Sequence, residues 1–170
     1  MDVFTAVKGR RSIRKFLKKD IPEEVLDKLV DALIWAPSAG NLQSRKFFFI
    51  RDEKTKSRLA SAALKQGFIS GAPVVVVCCA DTAKISSYGQ RGAELYVFQD
   101  VAASVMAMML VAYEEGLGTC WVGAFNDEEV SKVLGLSDML RPVAIVPVGY
   151  PAQIPKPTSR VSRTEAVEFR

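Results

Sequence analysis

The sequence predicts a layered domain of helices and sheet, α+β or α/β. Three features point there: four short apolar runs rich in β-branched or aromatic residues, amphipathic helical segments between them, and one long apolar helix in the second half. The 170 residues are expected to form a single domain, 1–170, large enough to bury about 70% of the surface its unfolded chain exposes.

Taken in order, Asp2 caps a short helix carrying Val3, Phe4, Ala6 and Val7, which Gly9 ends. The stretch Arg10-Arg11-Ser12-Ile13-Arg14 follows, with three guanidinium groups and a hydroxyl in five residues. Arginine offers a planar fork of charged donors that suits phosphate oxygens. The alternative for such a stretch is a set of solvated charges at the negative end of a helix. A second helix begins near Pro22, with Glu23 and Glu24 complementing its dipole. Its stripe Leu26, Leu29, Val30, Leu33 has the spacing of a face packed on a core, and it stops at Trp35-Ala36-Pro37.

A turn-rich loop, Pro37-Ser38-Ala39-Gly40-Asn41-Leu42-Gln43-Ser44, leads into a strand at 47–50. Asp52 caps a helix presenting Leu59, Ala60, Ala63 and Leu64. The run Val74-Val75-Val76-Val77 then reads as a strand covered on both faces. Residues 93–115 are helical and apolar nearly all round, through Val101, Val105, Met106, Met109, Leu110 and Val111. Such a helix belongs in the centre of a molecule or at a subunit interface. Gly116-Leu117-Gly118 closes it, and a third strand spans 119–123. Asn126 and Glu129 form a capping-box-like start for a helix from Asp127 to Leu134. The fourth strand, 143–148, ends in Gly149-Tyr150-Pro151. Residues 151–170 are rich in Pro, Ser, Thr and Arg without helical period, and are expected to dock on something, a partner subunit being one candidate.

Composition narrows the chemistry. Lys plus Arg outnumber Asp plus Glu by 23 to 19. That mild and scattered excess suits an anionic small ligand better than nucleic acid. Cys78, Cys79 and Cys120 lie in apolar runs without metal-ligand spacing, and read as reduced core residues of a cytoplasmic protein. Histidine is absent, which removes histidine triads, general bases and metal ligands together. The N-terminus lacks the basic region and apolar core of a signal peptide. The longest uncharged stretch, 101–113, falls short of the roughly 20 residues that cross a bilayer. No phosphate-binding P-loop, dinucleotide fingerprint, zincin motif or nucleophile elbow is present. The acidic clusters Glu114-Glu115 and Asp127-Glu128-Glu129 sit at helix ends as dipole partners or solvated charge. A chain of this kind is expected to rely on a bound cofactor for its reaction.

Four segments together are diagnostic: Arg10-Arg11-Ser12-Ile13-Arg14, Pro37-Ser38-Ala39-Gly40-Asn41-Leu42-Gln43, Gly116-Leu117-Gly118-Thr119-Cys120-Trp121-Val122-Gly123 and Val148-Gly149-Tyr150-Pro151. In order and spacing, and over almost the whole chain, they resemble the nitroreductase family of flavoproteins. The resemblance implies an α+β, three-layer fold with a mixed central sheet of four to five strands flanked by helices. It also implies a homodimer with FMN at the subunit interface, the C-terminal tail exchanged with the partner subunit, and NADH or NADPH as reductant. Hydride would pass through the non-covalently bound flavin to a nitro compound, quinone or similar acceptor by a ping-pong mechanism.

By the family's pattern Arg10 and Ser12 contact the FMN phosphate or ribityl chain, with Arg11 beside them, and Arg14 lies near the pyrimidine end of the flavin. Pro37, Ser38 and Asn41 reach the partner's flavin, and Gln43 steadies their loop. Trp121, Val122 and Gly123 lie beneath the ring system, the Gly123 amide facing N5. Gly149 belongs to the fourth matching segment, and Arg160 completes the phosphate site. The family's companion basic residue two positions before Arg160 is Thr158 here. Tyr88, Gln90 and Arg91, between Asp81 and Glu94, are expected to border an open acceptor pocket. No side chain is assigned as a catalytic acid or base, and no metal is expected. The alternatives are a flavin-binding carrier or sensor without efficient turnover, a flavin-fragmenting or dehalogenating relative, or an interaction domain that uses its apolar helix only to dimerise.

Overall fold

The apolar runs pair side by side because each can satisfy its backbone only against another. In the computed structural model, which describes residues 1–170, they form β1 (Arg45–Ile50), β2 (Val74–Asp81), β3 (Gly118–Thr119) and β4 (Leu140–Gly149), in the spatial order β1-β2-β4-β3. Phe48 lies opposite Val77, and Val77 opposite Ile145. Every pairing between these strands is antiparallel, and the mixed character of the sheet comes from a single parallel bridge, Ser12 to Thr119. β3 is shorter than the 119–123 expected. Beyond Thr119 the segment touches β4 through the Cys120 amide, which donates to the Pro147 carbonyl at 3.4 Å, and through the bridge of Val122 to Ile145, while Trp121 and Gly123 face outward.

The valine run of β2 does serve two cores. Val74, Val76, Cys78 and Ala80 point to one side, where Leu26, Leu29 and Leu33 of α2 (Glu23–Trp35) meet Val101, Val105 and Met108 of α5 (Val97–Glu114). Val75, Val77 and Cys79 point to the other, against Leu59 and Ala60 of α3 (Glu53–Ala62) and Val130 of α6 (Asp127–Leu134). The strand's two-residue period therefore produces three layers. The helix starts follow cap chemistry: the side chains of Asp2, Asp52 and Asn126 accept from the amides of Thr5, Thr55 and Glu129 at 3.0, 2.7 and 2.9 Å.

Two expectations need correction. The long apolar helix is broken into a single turn, α4 (Gly89–Arg91), a π-helical turn at Gly92–Tyr96, and α5. It also carries a buried charge, Asp100, at 4% exposure. The whole helical run Ser86–Glu114 is long and apolar enough to cross a membrane by length and composition. Its Val97, Val101, Val105 and Met108 are instead enclosed by α2 and the sheet. In the tail, Arg163–Ala166 forms one helical turn, α7, where no helix was expected. Ser162 caps it by accepting from the Glu165 amide, a purely local signal that apolar periodicity does not reveal. Residues 152–170 are exposed throughout.

Candidate functional site

The arginine stretch leaves α1 (Val3–Gly9) and lies against β3. Two glycines permit this approach: a side chain at Gly9 would strike the Tyr113 ring, and one at Gly118 would strike Ile13. Ile13, at 4% exposure, anchors the stretch, its amide donating to the Thr119 carbonyl at 2.9 Å. The three guanidinium groups meet different fates. Arg11 turns back on α1, and its Nη1 donates to the carbonyls of Lys8, Gly9 and Arg10 at 2.6, 2.9 and 2.7 Å. It closes the helix end, as a basic side chain there should. Arg14 is exposed, with its guanidinium carbon 5.6 Å from the centre of the Phe68 ring.

Arg10 differs from both. Its Nε is buried and has no hydrogen-bond partner. The residue lines a cavity of about 320 Å³ together with Arg11, Ile13, Tyr113, Thr119 and Pro151. A buried N–H left unpaired costs about 1–3 kcal/mol. An oxygen-rich anion that reached this nitrogen would remove that cost, a need the phosphate end of FMN would meet, and the one carboxylate lining the cavity, Glu114, is already paired with the N-terminal ammonium at 3.0 Å.

The adjoining segment supplies backbone rather than side-chain chemistry. Burial pushes the Cys120 thiol up, opposed by the charge of Arg14 and a hydrogen bond with Ser12. Val122 is tied to Ile145 by two hydrogen bonds of 2.9 Å. With Val122 fixed, Trp121 presents a partly exposed indole, and the Gly123 amide donates to no protein acceptor. A Cβ added at Gly123 would meet nothing nearer than Trp121 Nε1, 3.9 Å away. This wall therefore offers an open backbone donor three residues from Cys120, where the charge of Arg14 is felt, and a donor of that kind can stabilise negative charge developing on a ligand.

The loop at 37–43 is built separately. It contains a 3-10 turn at Ala39–Asn41 and left-handed backbone at Gly40, Asn41 and Gln43, with φ of 54°, 56° and 52°. Ser38 Oγ accepts from the Gln43 amide at 3.0 Å, and Gln43 Nε2 donates to Asn41 Oδ1 at 3.4 Å. The remaining ties run to Asp100 of α5 and Arg45 of β1, whereas the arginine stretch is tied to β3. Within the chain the two are held by different elements.

Of the other expected site residues, Gly149 is enclosed, since a side chain there would meet Pro73 and Phe16. Its role in the fold is close packing. Arg160 lies in the exposed tail, where its Nη1 donates only to Thr158 and Ser159. Tyr88 packs its hydroxyl against Gly40, Gln90 Nε2 donates to Glu94 at 2.9 Å, and Arg91 Nε donates to the Tyr96 hydroxyl at 2.9 Å.

Sequence reasoning passed over Gln66, Phe68, Arg45 and Asp100. Gln66 Nε2 donates to the carbonyls of Ala63 and Ala124, joining the connection after α3 to the open segment, while Phe68 lies under Arg14. Nothing in the local pattern marks the first two. Asp100 carries a readable signal, a lone charge within an apolar helix, whereas Arg45 stands beside Lys46 at the edge of an apolar strand.

The chain matches the family profile described as "Nitroreductase family" over residues 7–70 and 60–150. A Thermus thermophilus protein named NADH dehydrogenase is 30% identical over 200 residues, covering 100% of this chain and 97% of that protein. A Bacillus subtilis protein named FMN reductase [NAD(P)H] is 29% identical, over 89% of this chain and 66% of its own length. Among solved structures, an FMN-dependent nitroreductase from Clostridium difficile superposes with a TM-score of 0.84 at 25% identity, covering 98% of each chain.

Proposed function

The chain belongs to the nitroreductase family, and from that premise we propose that it is an NAD(P)H-dependent FMN oxidoreductase acting on nitro compounds, quinones or similar acceptors. FMN, when bound, would supply the redox chemistry that links NADH or NADPH to the acceptor. The protein's own part is to hold, tune and shield.

Arg10 and Ser12 hold the phosphate and ribityl end, with Arg11 fixing the helix terminus behind them. Arg14 faces the pyrimidine end, where its charge favours the reduced form. Trp121 and Val122 form the floor, and the Gly123 amide donates toward N5. Pro37, Ser38 and Asn41 are contributed by the partner subunit, Gln43 bracing their loop. The exposed tail crosses to the partner and brings Arg160 to the phosphate. Two features support the dimer: the apolar side chains of Val3, Phe4, Val7, Val30, Ile34 and Trp35 stand exposed on α1 and α2, and residues 152–170 lie open.

The observation that carries this reading is the unpaired, buried Nε of Arg10, a residue that lines a cavity, together with the open Gly123 amide. An absorbance spectrum tests it. Purified protein supplied with FMN should be yellow and should bleach when NADH or NADPH is added without oxygen. Protein that retains no FMN, or whose bound flavin neither nucleotide reduces, contradicts the assignment.

A further inference from the structure

Between α2 and β1 the chain must turn through three left-handed residues, two of which are not glycine. Backbone of this kind persists only where its surroundings over-determine it. Here the surroundings are three polar side chains in an apolar core. Asp100, on α5, is 4% exposed; its Oδ1 accepts from the Ala39 amide at 2.8 Å and its Oδ2 from Ser44 Oγ at 2.6 Å. Ser44 is fully enclosed and Arg45 is 6% exposed. Arg45 donates to the carbonyls of Ile34, Ala36 and Pro37 at 3.0, 2.6 and 2.9 Å, and to that of Asp100 at 3.3 Å. The beginning, middle and end of the loop are therefore all bound to one buried point. On the opposite side Gly40 admits the Tyr88 hydroxyl so closely that no side chain would fit.

Stability alone does not call for a carboxylate at position 100, because a well-packed apolar residue can serve a core as well or better. What the carboxylate adds is two directed acceptors that fix Ala39 relative to Ser44. We propose that Asp100, Ser44 and Arg45 are positioning residues for the FMN site: they set the 37–43 loop in the one shape that meets the flavin. The inference rests on the FMN reading above and extends it to side chains that touch no cofactor.

Ser44→Ala removes a single hydroxyl, and Asp100→Asn keeps the shape and one acceptor while removing the charge. Both full-length variants and the wild type are titrated with FMN, and visible circular dichroism of the bound flavin is recorded with the melting temperature. The bracket predicts a dissociation constant raised about tenfold for Ser44→Ala, and an altered flavin dichroism. Asp100→Asn should change both in the same direction. A lower melting temperature with unchanged affinity and dichroism marks a merely structural role and overturns the proposal. Should Asp100→Asn fail to fold, Ser44→Ala decides alone. If the wild type itself binds no FMN, the functional assignment falls and takes this inference with it. If the wild type binds and the variants match it, only the inference falls.

Discussion

The two polar segments thought to meet the cofactor are built on opposite plans. The Arg45 guanidinium donates to four carbonyls, those of Ile34, Ala36, Pro37 and Asp100, and the residue is 6% exposed. In Arg10 a buried nitrogen has nothing to bond, and the residue lines a cavity. Arginine is the same chemical object in both places. Whether its donors are satisfied by the chain decides whether it holds the protein together or waits for a ligand. Arg11, one residue from Arg10, falls with Arg45, since its Nη1 is bound to three carbonyls of its own helix end. Adjacency in sequence therefore says little about role, and hydrogen-bond accounting says much.

The contrast can be broken most forcefully at Arg45. Arg45→Ala deprives the carbonyls of Ile34, Ala36, Pro37 and Asp100 of this donor and opens a cavity where a side chain of 6% exposure stood. A loss of about 3 kcal/mol of stability is expected, read as a lower urea midpoint. An unchanged midpoint would mean that its hydrogen bonds are readily replaced by water, and the distinction drawn here would fail.

A smaller effect sharpens the contrast by showing where acid acts first. The carboxyls of Asp2 and Asp52 are held below the ordinary carboxylate value, chiefly by hydrogen bonds from the Thr5 and Thr55 side chains and then by those residues' amides. A depressed folded-state pKa means that the stabilisation is complete above the unfolded value of 3.8 and is lost as pH falls through the lower folded one. As pH falls below 3.8 the caps of α1 and α3 should weaken. Asp52→Ala should flatten that part of the stability curve, which urea unfolding at each pH measures. A curve of the same shape in the variant would assign the acid response elsewhere.

How much of this was legible beforehand follows from where each signal resides. The strands and caps were readable because they depend on residues close in sequence, such as the valine run of β2 or Asn126 with Glu129. β3 was overestimated because the apolar character of 119–123 does not disclose that Trp121 turns outward. The break ahead of α5 was invisible, since π-helical turns have no distinctive period in so short a segment. Within the site, the union of the arginine stretch with the segment at 119–123 came from resemblance, and its physical cause, the close approach of Ile13 over Gly118, needed three dimensions. The bracket of Ser44, Arg45 and Asp100 joins residues 55 and 56 positions apart. A lone buried charge in an apolar run was its only trace in one dimension.

The most direct test of the account is FMN titration of Arg10→Ala beside the wild type, with the unfolding midpoint measured on the same samples. Loss of a charge-assisted bond predicts affinity weaker by about 1.5–3 kcal/mol, tenfold or more, at a nearly unchanged midpoint. Equal FMN affinity in the two proteins would show that the unpaired nitrogen of Arg10 is not the phosphate's partner, and would contradict the account.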